Sequence, residues 1–261
     1  MIDKNIRNTI NQRTYAAERV VRWYRDLSFI HKSEEVILQK LYPFIKDRKL
    51  LDIGIGGGRT TKYLLEISKD YMGIDYTLRL AEIVKSKYPQ AAIFCADARE
   101  LHLRDEVFDF VLFSLNGLDY IDHDDRLKAL GEIYRVLRPG GFYMFSTHNR
   151  DYKGFKKLPW QEDTPFSLGH LRSCLYTLAH WPRHLVMRQH ELFKNEYAIV
   201  NDSAHGFSLF TYYIGIGEQL KQLERKGFEQ IEAYNMVGKP VKSDSDFPWT
   251  YYLARKAWPS T

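Results

Sequence analysis

The sequence has little of what would mark a secreted, membrane-spanning or metal-bound protein. Only two cysteines occur in 261 residues. Cys95 and Cys174 lie far apart in no metal-binding spacing, which excludes a disulfide framework and predicts two reduced core residues. No apolar run approaches the roughly 20 residues of a membrane span, and Met1-Ile-Asp-Lys-Asn-Ile-Arg7 lacks the apolar centre of a secretory signal. No membrane partner and a cytoplasmic location are therefore expected. His170, His180, His184 and His190 include no i, i+4 pair flanked by an acid, apart from His180 and His184 across Pro182, and no metal is expected. The formal net charge is +5, with a pI near 9.0, but lysine and arginine are spread along the chain. That distribution reads as a solvated surface, and without an aromatic and basic platform nucleic acid is not the expected partner. Internal repeats and low-complexity segments are absent.

What is present is a chain 44% hydrophobic, enough to bury a full core in one domain with an insertion or in two. Its most informative run is Lys49-Leu-Leu-Asp-Ile-Gly-Ile-Gly-Gly-Gly-Arg59, an apolar strand ending in an acid and entering a glycine-dense turn. Gly54, Gly56 and Gly58 let a ligand approach the backbone, and the Thr60-Thr61-Lys62 stretch opens a helix. A dinucleotide fingerprint needs a third glycine where Arg59 stands, and Asp52 precedes the first glycine by two residues, which argues against NAD or FAD. Further short apolar runs follow: Tyr71-Met-Gly-Ile-Asp75; Ala92-Ile-Phe-Cys-Ala-Asp97; Phe108-Asp-Phe-Val-Leu-Phe-Ser114 with Asn116-Gly-Leu-Asp-Tyr-Ile121; and the helix, tight turn and strand of 130–146. Alternation of such runs with helical stretches predicts a parallel sheet covered on both faces, with Asp52, Asp75, Asp97, Ser114 and His148 at the strands' carboxyl ends facing one crevice.

These motifs, in this order, resemble class I S-adenosylmethionine-dependent methyltransferases. The resemblance spans residues 49–149 and resumes at 219–237. It implies an α/β, Rossmann-like, doubly wound, mostly parallel seven-stranded sheet with an antiparallel last strand, preceded by N-terminal helices and carrying an inserted cap between the fifth strand and the following helix. It also implies S-adenosyl-L-methionine as cofactor. Asp75, with Tyr76 beside it, would accept hydrogen bonds from the ribose hydroxyls, and Asp97 with the Ala98 amide would read the adenine edge. Asp52, Gly54, Gly56, Gly58, Arg59, Ser114 and Asn116 would line the rest, with Arg59 either near the carboxylate or facing solvent.

Residues 1–149 are expected to hold the N-terminal helices and cofactor core, 150–217 the acceptor-binding cap, and 218–261 the end of the core. Two helices are expected across 14–42, broken near 28–33, with Ser33 as the second N-cap and Trp23-Tyr24 either packed or part of a lid. The insertion predicts a helix over 168–179, a basic helix or arm over 182–194, and strands over 196–200 and 206–214 around Asn201-Asp-Ser. Methyl transfer mainly requires alignment of the acceptor and exclusion of water, so a polar group at the strand ends is the thing to seek. His148 ends the fifth strand and, as the residue type that changes protonation near neutrality, is the first choice of base. Asp119 would orient an amine or cap a helix, Tyr120 would touch the acceptor, and at most one of Tyr212 and Tyr213 faces the pocket. The expected reaction is metal-independent methylation of O or N on a small or medium-sized molecule. A macromolecular acceptor and a noncatalytic cofactor-binding role remain the alternatives, the former disfavoured by Ser114-Leu-Asn-Gly117 where an Asn-Pro-Pro-Tyr-like signature would stand.

Overall fold

The structure, a computed structural model, describes residues 2–161 and 167–259. Its centre is strand β1 (Leu50–Ile53), flanked by β2 (Tyr71–Asp75) and β4 (Phe108–Phe113); β3 (Ala92–Cys95) lies outside β2 and β5 (Leu137–Asn149) outside β4. These neighbours pair in parallel. The last strand, β10 (Trp249–Lys256), runs antiparallel between β5 and β9 (Phe228–Tyr234). These are the seven strands expected, with the antiparallel one in its place. Alternate side chains go to opposite faces, so both layers are built from the same runs. Leu51, Ile53, Val111, Phe113 and Phe145 pack against α6 (His123–Val136) and α8 (Ile216–Arg225). Leu50, Phe110, Leu112 and Met144 meet α3 (Lys32–Ile45), α4 (Thr61–Ile67) and α5 (Leu78–Lys87). Each such Leu or Phe, fully buried, contributes about 1.5–3 kcal/mol.

The insertion adds three strands, so the sheet has ten rather than seven. β4 ends at Phe113, and beyond it β8 (Thr211–Ile214) takes up the same edge of β5, pairing with His148 and Asn149. β7 (Tyr197–Val200) and β6 (Leu192–Phe193) follow antiparallel. The inserted segment is thereby hydrogen-bonded over the strands' carboxyl ends.

Several local expectations change. The N-terminal region is three helices, α1 (Ile2–Ala16), α2 (Glu18–Arg25) and α3, because Ala17 is extended between the first two. His31 rather than Ser33 caps α3: Glu34 closes a capping box with His31, while Ser33 donates to the Asn235 carbonyl. Arg138 to Gly141 form an irregular excursion within β5 opposite the single residue Asp109, since the pairing passes from Phe108/Leu137 to Phe110/Phe142. α7 (Leu168–Met187) runs through Pro182, where a break was expected. Bonds on both sides of the proline hold it, from His180 Nδ1 to the Tyr176 carbonyl and from Arg183 and His184 to the 201–208 loop. Strand pairing resumes only at Thr211, because His205, Gly206 and Phe207 all have positive φ, and Asn201 bridges the loop through the Phe207 and Leu209 carbonyls. Neither cysteine is core: Cys95 is exposed on edge strand β3 and Cys174 is half-buried. Among the described residues no helix is long and apolar enough to cross a membrane.

Candidate active site

The glycine turn after β1 is shaped by close approach from two sides. Gly56 adopts φ +53, and a Cβ on Gly57 would stand 2.2 Å from the Tyr24 carbonyl oxygen, so the end of α2 rests directly on the turn. The Trp23-Tyr24 pair divides: Tyr24 lines the cavity over the turn, while Trp23 is 49% exposed and meets Tyr24 and His205 edge-on. Tyr15, Tyr76 and Tyr120 complete an aromatic wall, with Tyr15 centred 5.5 Å from Tyr24, 6.1 Å from Tyr76 and 5.1 Å from Tyr120.

Around this cavity stand Gly54, Gly56, Arg59, Asp75, Tyr76, Asp97, Ala98, Ser114 and Tyr120. Asp75 is buried; its two oxygens each accept one backbone N–H, from Gly56 at 2.9 Å and from Thr77 at 2.8 Å. Burial pushes its carboxyl up to about 6 against the pull of those amides. A carboxylate oxygen accepts more than one hydrogen bond, so two acceptor sites remain for vicinal hydroxyls. Asp97 is gripped by the Arg99 guanidinium at 2.9 and 3.0 Å, and Arg99 also reaches Asp125. Burial raises the Asp97 carboxyl, and the Arg99 bonds outweigh it and hold the group below the usual range.

Asp52, Gly58, Asn116, Asp119 and His148 are not among the residues lining this cavity. Asp52 lies beneath the turn, accepting from Thr60 Oγ1 at 2.7 Å and the Tyr71 hydroxyl at 3.1 Å, while its Oδ1 is buried without a partner. Burial pushes this carboxyl up to about 7, the two hydroxyls opposing. Gly58 has φ +85, with Val84 and Tyr88 closest to where a Cβ would stand. Leu115 and Asn116 both take positive φ after β4, and the Asn116 amide donates to Ser146 Oγ at 2.9 Å.

Arg59 is buried against Glu34 of α3 in a two-pronged ion pair at 2.6 Å, with a further bond to the Phe29 carbonyl. Ser114 Oγ joins both Glu34 and Arg59. Burial would raise the Glu34 carboxyl, but Arg59, Ser114 and the His31 amide hold it low. Glu34 thus has two duties, cap and counter-ion, and its sequence position as an acid in a helix's first turn signals only the first.

Asp119, Arg126 and His148 form a second buried centre. The 3-10 turn Gly117–Tyr120 brings Asp119 beneath the end of β5. Its Oδ1 accepts from Arg126 at 2.6 Å and Thr147 at 2.5 Å, and its Oδ2 from the His148 amide at 2.7 Å. The same Oδ2 stands 2.8 Å from His148 Nδ1. Asp119 caps no helix; Asp122 caps α6. In that contact the carboxylate can only accept, so Nδ1 is the donor. Arg126, fully buried, also bonds Gln219 at 2.8 Å and lies 4.5 Å from the Tyr212 ring. The two tyrosines part as strand alternation requires: Tyr212 packs on Arg126, and Tyr213 faces a second cavity of about 480 Å³. That cavity lies under the insertion, bounded by Phe155, Trp181, His184, Asp202, Phe207 and Tyr213. The His148 ring lies 5.0 Å from Tyr213 and 6.3 Å from Tyr120, between one cavity wall and the other. Among the described residues no three His, Cys, Asp or Glu side chains gather as a metal site would need.

An adenosylated sulfonium fits the first cavity on the structure's own terms: a carboxylate with spare acceptor sites, a turn kept open by glycines and aromatic faces for a cation. Comparisons with known proteins agree. Residues 51–145 match the family model described as a methyltransferase domain. A probable S-adenosylmethionine-dependent methyltransferase of Mycolicibacterium smegmatis is 29% identical over 134 residues, 51% of this chain and 51% of that protein. A demethylmenaquinone methyltransferase of Renibacterium salmoninarum is 29% identical over 97 residues, 37% of this chain and 40% of its own. The chain spans about half the length of the first of the curated relatives it matches. Among solved structures, the Burkholderia thailandensis 1,6-didemethyltoxoflavin-N1-methyltransferase, with 1,6-didemethyltoxoflavin and S-adenosylhomocysteine bound, superimposes with TM-score 0.59 at 14% identity, covering 96% of this chain and 87% of that one. A Clostridium acetobutylicum S-adenosylmethionine-dependent methyltransferase gives 0.58 at 15%, covering 95% and 99%. Residues 51–145 thus match a methyltransferase domain, and in sheet order, glycine turn and strand-end acids the chain is similar to the class I S-adenosylmethionine-dependent methyltransferases.

Proposed function

We propose that the chain methylates O or N of a small or medium-sized acceptor, without a metal, and that residues 150–217 form the acceptor's cap. The observation that supports this most is the position of the Asp119–His148 pair between a cavity built on the glycine turn and a second cavity under the insertion. When bound in the first cavity, S-adenosylmethionine supplies an electrophilic methyl group, and its sulfur leaves as a neutral thioether. Asp75 holds the ribose hydroxyls, Asp97 and Ala98 flank the adenine, and the tyrosine wall excludes water from the reacting end. His148, with Asp119 fixing its tautomer, takes the acceptor's proton on Nε2 as the new bond forms. Tyr120 and Tyr213 flank that imidazole and orient an acceptor entering from the cap side.

A turnover assay tests this reading: the protein is incubated with the methyl donor and a pooled metabolite extract, and products are read by the mass of an added methylene. A low-molecular-weight product whose formation is lost in the His148→Ala variant is expected. Methylation confined to protein or RNA, or none in any pool, would contradict it.

A further inference from the structure

Helix α7 presents an apolar seam that nothing among the described residues covers. Leu168, Leu171, Leu175, Leu178 and Leu185 are each 40–73% exposed, and Pro182 completes a spacing of three, four, three, four and three residues. That is the a/d repeat of a helix meeting another helix, narrower than the broad stripe of a helix packed on a core. The opposite face is already engaged, since Thr177 is buried, Trp181 and His184 pack on Phe207, and His184 bonds Asn201.

We propose that this seam docks against the same seam of a second copy, the two α7 helices antiparallel about a two-fold axis. The sequence is self-complementary in that arrangement. Placing Leu175 against Leu178 of the other copy also places Leu168 against Leu185 and Leu171 against Pro182, so every a position meets a d position. The flanking positions on one side are Arg172, Ala179 and Val186, which sets each arginine beside apolar partners rather than beside its own copy. α7 contains no acidic residue, so a parallel pairing, which would stack identical arginines and align the helix dipoles, is disfavoured. A seam of 18 residues is about 26 Å long, a contact at or below the roughly 800 Å² per partner of a standard interface. A contact of that size suits a reversible dimer rather than an obligate one. A bilayer surface suits the helix less well, because one of its two arginines, Arg183, is already spent on the Gly206 carbonyl and Ser208.

The test is sedimentation equilibrium of the full chain at roughly 1–100 μM. Concentration-dependent dimer is expected, and Leu175→Glu with Leu178→Glu, both exposed positions, should raise the dissociation constant at least about a hundredfold with an unchanged circular dichroism spectrum. Register is read in a Cys95→Ser, Cys174→Ser background: Leu168→Cys mixed with Leu185→Cys should cross-link on mild oxidation, and neither alone. A monomer at every concentration, a dimer indifferent to the glutamates, or like-with-like cross-linking would each overturn the proposal. So would a monomer that sediments with anionic phosphatidylserine vesicles, which would assign the seam to a lipid surface.

Discussion

Asp52 is a buried acid whose charge the fold opposes. It is 1% exposed, one oxygen has no partner, and burial pushes its carboxyl from the ordinary value of about 3.9 up to about 7. An acid raised in the folded state holds its proton more tightly folded than unfolded, so stability falls as pH rises between those two values. The penalty is absent below about pH 4, grows through the window and is complete above about pH 7, where three pKa units correspond to roughly 4 kcal/mol. Asp52→Asn keeps an oxygen for Thr60 and Tyr71 and removes the charge. The variant should therefore melt nearly level with the parent at pH 4.5 and, with about 2–4 °C per kcal/mol in a chain of this size, roughly 8–16 °C above it at pH 8. Differential scanning calorimetry of the ligand-free pair at both pH values measures this. A gain that is equal at the two pH values, or a loss at pH 8, would refute the reasoning and place the charge in a solvated or paired environment.

His148→Ala should lower kcat by about two to four orders of magnitude while cofactor affinity stays level, measured by single-turnover methyl transfer; a variant that keeps its kcat with a raised acceptor KM would make His148 an acceptor contact instead. Gly57→Ala puts a Cβ 2.2 Å from the Tyr24 carbonyl, where backbone cannot yield, so α2 must lift from the turn at an expense of roughly 1–3 kcal/mol. Titration should show that loss as weaker cofactor binding, and unchanged affinity would mean that α2 does not cover the site.

The centre of the sheet was legible because its strands are buried on both faces and read as apolar runs; the Leu50–Ile53 and Phe108–Phe113 runs carry that pattern without help from tertiary context. What escaped the sequence depends on pairing across long separations. Glu34 looks like a helix-start acid until Arg59 is folded against it, and Asp119 looks like a cap until β5 delivers the His148 amide and imidazole to it. Arg126 carries no local signal at all, because its burial is set by Asp119, Gln219 and Tyr212 on three other elements. The insertion was legible as strands and a helix but not as a continuation of the sheet, since two residues of β5 decide where β8 attaches. Positive φ at His205 and Phe207, both bulky residues, is likewise invisible to propensity.

The central claim, that the glycine turn and Asp75 bind the adenosyl cofactor, is tested most directly by isothermal titration with S-adenosylmethionine and S-adenosylhomocysteine. Hydroxyl donors stabilise the ionised form of a carboxyl pushed up to about 6, so binding near or below that pH should release a proton, seen as a heat that changes with buffer ionisation enthalpy. Asp75→Ala, losing charge-assisted hydrogen bonds worth about 1.5–3 kcal/mol each, should weaken binding by at least about tenfold. One-to-one binding with that proton release and that loss is the predicted result; no binding of either ligand, or equal affinity in the variant, would contradict the account.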